Sequence, residues 1–138
     1  MSIKTPMRSL AAATLLFAAS SAPAHHSFAA IWDETKTFKV TGELTKIDWI
    51  NPHIYYFVDV KGADGKVERY SFEGMPPTFL RNMGLNKGML TPSLNKQVTV
   101  EGYPAKNGTK ALGFGRALTL TDGRTIQMVG DDARDLSR

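Results

Sequence analysis

The stretch Pro76-Pro77-Thr78-Phe79-Leu80-Arg81-Asn82-Met83-Gly84 decides the fold. Proline is tolerated in the first helical turn, because the N–H it lacks has no intrahelical partner there. Gly84 supplies a stop. The stretch therefore predicts a short helix from Pro76 to Met83, with Phe79, Leu80 and Met83 as its apolar residues and Met83 read as core. Reading outward from it, strands lie on both sides.

Upstream, Val67 to Glu73 predicts a third strand. Gly62-Ala63-Asp64-Gly65 is a hairpin turn. Before it, His53 to Val60 is the best-patterned strand: Ile54, Tyr56, Val58 and Val60 alternate with Tyr55, Phe57 and Asp59. Asn51-Pro52 marks a turn. Lys39 to Trp49 predicts the first strand. Val40, Gly42 and Leu44 share one parity and Ile47 and Trp49 the other, so a bulge or sharp coil is expected near Thr45-Lys46. Downstream, Gly88 to Lys96 reads as a loop, and Gln97 to Tyr103 and Ala111 to Leu120 as the fourth and fifth strands. A last short strand, Thr125 to Val129, follows the Thr121-Asp122-Gly123-Arg124 turn.

The fold class expected is mainly β. It is a small OB-like barrel of five to six strands, with one short helix between strands three and four. A generic small β-sandwich has similar strand spacing, and the helix separates the two.

The start of the chain reads as a secretory leader. Lys4 and Arg8 form a positive n-region, Leu10 to Ala19 an apolar h-region, and Ala22-Pro23-Ala24 the small-residue cleavage pattern. The expected organisation is a signal peptide at 1–24, an N-terminal arm at 25–37, an OB-like β domain at 38–129 and a flexible tail at 130–138. Removing 24 of 138 residues leaves 114, enough for one domain. The loss of Lys4 and Arg8 takes two charges from the formal net +4, leaving +2. So small a charge argues against a dedicated nucleic-acid binder. With no cysteine, disulfides, thiolate nucleophiles and Cys-based metal sites are excluded. The h-region is short for a span of about 20 apolar residues, so no transmembrane segment is expected. The expected location is periplasmic or secreted.

Cleavage after Ala24 makes His25 the first residue. Its α-amine and imidazole can then close a chelate on a metal ion. The mature chain has two other histidines, His26 and His53. His53 opens strand two after the Asn51-Pro52 turn, in the loop that forms part of the usual OB ligand face. If the arm folds back, His25, His26 and His53 form a nitrogen-rich metal site. Nitrogen donors suit Cu(II) best, with Ni(II) or Zn(II) behind, and Asp33, Glu34 or Asp48 as oxygen donors. The bland alternative is a solvated arm with a weak peptide chelate. Met75, Met83, Met89 and Met128 lack the clustering of a Cu(I) site and read as packing residues.

Trp49, Asn51, Tyr55 and Phe57 surround the turn and offer a second, ligand-binding reading. Aromatics on this face can stack on an oligosaccharide or meet a protein, with Lys46, Lys61 and Arg69 supplying charge. No nucleophile elbow or Gly-rich phosphate loop is present. Glu73 and Asp59 read as lone carboxylates facing solvent. The chain is therefore read as non-enzymatic, although a small copper-dependent oxidase built on His25 is conceivable.

At His25-His26-Ser27-Phe28 and Trp49-Ile50-Asn51-Pro52-His53 the chain resembles an uncharacterised family of small exported bacterial proteins, domain of unknown function 6152. The resemblance runs through Asp64-Gly65-Lys66, Phe72-Glu73-Gly74, Val98 to Tyr103 and Asp122-Gly123-Arg124. It implies export and a compact β domain, and brings no assigned activity or cofactor. Members commonly carry Asn-Ala-Arg before the last strands, whereas Gly115-Arg116-Ala117 stands near that place here.

Taken together, the residues predict an exported binding protein for a copper-type metal ion or another small ligand.

Overall fold

A computed structural model describes residues 28–130. The predicted leader at 1–24, His25, His26 and the predicted tail beyond Gly130 lie outside the described residues. Six strands form one sheet: β1 (Phe38–Asp48), β2 (Tyr55–Lys61), β3 (Val67–Glu73), β4 (Gln97–Pro104), β5 (Leu112–Thr119) and β6 (Thr125–Gln127). Their hydrogen-bonded order is β3-β2-β1-β4-β5-β6, and β3 also pairs with β5. That last pairing is parallel and short, Ser71–Glu73 against Leu112–Phe114. It closes five strands into a barrel in the circuit β1-β2-β3-β5-β4-β1, with β6 as an added edge. This is the small OB-like barrel expected.

Each closure device has a local cause. The β2–β3 turn is fixed by the Gly65 N–H donating to the Gly62 carbonyl at 3.0 Å. Gly65 takes φ +78°, which a side chain would disfavour. The register that results pairs Lys61 with Val67 and Tyr55 with Glu73. β1 serves both sides of the barrel, pairing with β4 over Phe38–Glu43 and with β2 over Glu43–Asp48. The expected bulge lies between Leu44 and Lys46. It flips the strand's parity, so both Leu44 and Ile47 face the core. Inside, Tyr56, Val58, Phe72, Val100 and Leu118 are fully buried.

The helix between β3 and β4 is present as α2, Pro77–Asn82, with Pro77 in its first turn. It ends in a Schellman motif. The Leu85 N–H donates to the Leu80 carbonyl at 2.8 Å and the Gly84 N–H to the Arg81 carbonyl at 2.9 Å, with Gly84 at φ +80°. This reversal corrects the expectation for Met83. Leu85 folds back into the core beside Leu80, and Met83, on the cap, is 37% exposed. The Gly88–Lys96 segment is also not simply a loop. It holds a second short helix, α3 (Lys87–Leu90), and a 3-10 turn over Thr91–Ser93. Leu90 is fully buried and joins Leu80 and Leu85 in the core cluster. Burial of Leu90 outweighs the breaking tendency of Gly88, and Pro92 sits early in the 3-10 turn, where its missing N–H costs nothing.

The described part of the arm is docked. Phe28–Ile31 forms a single helical turn, α1, and Trp32 bridges to Ala105 with 3% of its surface exposed. The next turn is tied by Asp33, which accepts from the Thr35 N–H at 3.1 Å and pairs with Lys36 at 3.0 Å. These contacts, the Thr35 hydroxyl first, hold the Asp33 carboxyl down at about 2. Lys39 and Arg116 likewise lower Glu101, Arg69 lowers Asp59, and Arg124 lowers Asp122. A carboxylate depressed in the fold contributes stability above its unfolded value, ~4, and loses it as pH falls through the folded value. The melting temperature should therefore hold from neutrality to about pH 5 and fall below about pH 4. Asp33→Asn with Glu101→Gln should flatten that fall. An unchanged acid limb in the double variant would show that these pairs do not carry it.

Candidate functional site

The barrel seam where β3 meets β5 sets the site. Ideal Cβ atoms on Gly113 and Gly115 would run into Phe38, Phe72 and Tyr56, so these positions face the interior. Phe114, between them, therefore faces outward. Glu73 is its register partner on β3, Tyr55 is the partner of Glu73 on β2, and Tyr103 is the partner of Phe114 on β4. Opposed residues in a sheet share a face. Tyr55, Glu73, Phe114 and Tyr103 thus form one row across the outside of the barrel.

The arm covers one end of that row. Phe28 stands edge-on to Phe114 at 4.7 Å between centroids and to Tyr103 at 5.9 Å, and Trp32 lies 5.8 Å from Phe114. Phe114 is 1% exposed as a result. The other end is open. His53 is half-buried, and its Nδ1 bonds the Glu73 carboxylate. Nε2 of His53 has no hydrogen-bond partner among the described residues. Burial, and next the charge of Glu73, raise the Tyr55 phenol.

The bond corrects the reading of Glu73 as a lone, solvent-facing carboxylate. Its side chain is 20% exposed and is committed to His53. Asp59 is not lone either, because it forms a two-pronged pair with Arg69 at 2.7 and 2.9 Å. Two of the three proposed oxygen donors are engaged elsewhere, Asp33 by Thr35 and Lys36 and Asp48 by Lys46 at 2.7 Å, while Glu34 is exposed on the arm. Among the described residues no three His, Asp or Glu side chains converge as a metal cluster.

The ligand-face residues divide. Ile54, Tyr56 and Val58 point inward, so Tyr55 and Phe57 lie half-exposed on the outer face of β2. Lys46 Nζ stands 5.4 Å from the Phe57 ring centroid. Trp49 is half-buried against the core, and Asn51 is exposed in the turn, where its bond to Pro52 is cis. His53 and Tyr55 are brought together through Glu73, whereas Trp49 and Asn51 lie earlier in the connection between β1 and β2. A separate polar groove of about 500 Å³, lined by Thr41, Glu43, Asp59, Lys61, Lys96 and Gln97, lies at the far end of β2.

Among the described residues no helix is long and apolar enough to cross a membrane. No curated protein and no solved structure matches the chain. Residues 12–114 match the model of a family of unknown function, DUF6152, and the chain belongs to that family.

Proposed function

We propose that this is an exported binding protein that holds a Cu(II) ion between the His25 of its processed N-terminus and His53. The amine and imidazole of His25 give one chelate, and Nε2 of His53 adds a donor from the barrel. His26 is the alternative arm ligand. No enzymatic step is proposed.

One observation carries the reading: Phe28 is docked on Phe114, and Phe114 is in register with Glu73, which bonds His53. Adjacent strands lie about 4.8 Å apart. The three residues from His25 to Phe28 span up to roughly 10 Å when extended. That length exceeds the strand spacing between Phe114 and Glu73, which supports a contact between the start of the arm and His53. Three nitrogen donors with a carboxylate behind one imidazole form a set that suits Cu(II).

Calorimetric titration of Cu(II) tests this on two forms that both begin at His25, one with a free α-amine and one with that amine acetylated. Acetylation removes the amine as a donor and leaves the sequence unchanged. The free-amine form should bind one copper at least about 10-fold more tightly, the scale on which even outer ligand-shell losses are felt. Equal binding would leave only a peptide chelate. The half-exposed Tyr55 and Phe57, with Lys46 beside Phe57, would then favour an oligosaccharide- or protein-binding face.

A further inference from the structure

We infer that Glu73 is a positioning residue that selects Nε2 of His53 as the ligating atom, by holding the proton of the neutral ring on Nδ1. The inference deepens the copper reading and rests on it for the metal. The hydrogen bond itself does not depend on copper.

An ionised carboxylate accepts hydrogen bonds and donates none. The contact between Glu73 Oε1 and His53 Nδ1 therefore requires the hydrogen on Nδ1. A neutral imidazole has one N–H, so its lone pair is then on Nε2. Which nitrogen of a histidine meets a metal is commonly set in this way, by the bond the other nitrogen makes.

The surroundings keep Glu73 on this task. Tyr55 flanks it in register on β2, and Phe114, under Phe28, flanks it on β5. These walls lower the local polarity, which strengthens a hydrogen bond to a carboxylate. The arginines of the two strands that meet at the seam are committed elsewhere: Arg69 on β3 pairs with Asp59, and Arg116 on β5 with Glu101. Among the described residues Glu73 has no other ion-pair partner than His53. Ligation through Nδ1 would break this bond and strand the carboxylate, whereas ligation through Nε2 keeps it. A metal on Nε2 also gains from the carboxylate behind the ring, which raises the donor strength of the imidazole.

The test reads the ring directly. In the purified, metal-free protein labelled with ¹⁵N-histidine, long-range ¹H–¹⁵N correlation at about pH 9, above the ordinary imidazole range, should show His53 protonated at Nδ1 and bare at Nε2. Glu73→Ala should move the proton towards Nε2 and weaken Cu(II) about 10- to 100-fold, the usual cost of losing such a partner. Glu73→Gln keeps a carbonyl acceptor and should recover part of both. In a His53→Ala background, Glu73→Ala should have no further effect on copper. Unchanged shifts for core residues such as Val58 and Phe72 will show that the variants remain folded. A parent His53 protonated on Nε2, or a tautomer unmoved by Glu73→Ala, overturns the inference even if copper binds. If the tautomer behaves as expected but the parent holds copper no better than a histidine-leading peptide, the copper reading falls and the hold of Glu73 on the ring stands.

Discussion

Gly115→Ala should destabilise the barrel by about 3 kcal/mol or more, at the top of the usual overpacking range. A Cβ at Gly115 would stand 1.5 Å from Tyr56 Oη and 2.6 Å from its Cζ. The Tyr56 ring crosses the barrel from β2, is fully buried, and stacks on Phe72 at 5.5 Å. The ring cannot move without displacing core neighbours, and both strands are held by pairing with their neighbours. Tyr56→Phe should act in the opposite sense. The Tyr56 hydroxyl is buried without a partner among the described residues, and burial alone raises its pKa well above the usual phenol value. An unsatisfied buried hydroxyl costs about 1–3 kcal/mol, so its removal should stabilise by roughly 1 kcal/mol. In the double variant the worst clash is gone but Cζ remains close, so Tyr56→Phe should rescue Gly115→Ala in part. Urea denaturation of the four proteins gives the coupling. A Gly115→Ala protein within 0.5 kcal/mol of the parent would mean that the two strands give way more easily than a packed barrel should.

The sequence pattern carried the barrel because its strands are regular and its turns are chemically marked. Ile54, Tyr56 and Val58 alternate, and Gly62 to Gly65 can only turn. The helical connection was half legible. Pro77 and Gly84 mark α2, but the glycine also lets Leu85 reverse into the core, and counting along the helix face assigns that seat to Met83 instead. α3 was hidden because Gly88 and Pro92 read as breakers, while the burial of Leu90 is a tertiary effect. Glu73 was missed as a site residue for a related reason. Strand parity places it on the outside, and an outside carboxylate reads as solvated. The signal was available in the hairpin: a turn pairing Lys61 with Val67 pairs Tyr55 with Glu73, two residues from His53. The docking of Phe28 and Trp32 had no such signal, since a four-residue helical turn is too short to show a period.

His53→Ala should weaken Cu(II) about 10-fold or more in the form that begins at His25. Any histidine-leading peptide offers the first chelate ring. What the fold adds in the proposed site is a second element fixed relative to the first, and His53 is proposed as that element. Phe28→Ala should also weaken copper, although it removes no ligand. With the Phe28 anchor gone, the arm samples a larger volume, and the effective concentration of His25 at His53 falls. The loss from Phe28→Ala should be smaller than that from His53→Ala, and absent when His53 is already gone. Coordination needs unprotonated nitrogens, so parent affinity should decline as pH falls through the range where imidazoles ordinarily protonate, about 6.5. Competitive titration against a copper chelator of known strength, at fixed pH, resolves all four proteins. If Phe28→Ala costs as much in the His53→Ala background as in the parent, the arm contributes a site of its own, and His53 is not its partner.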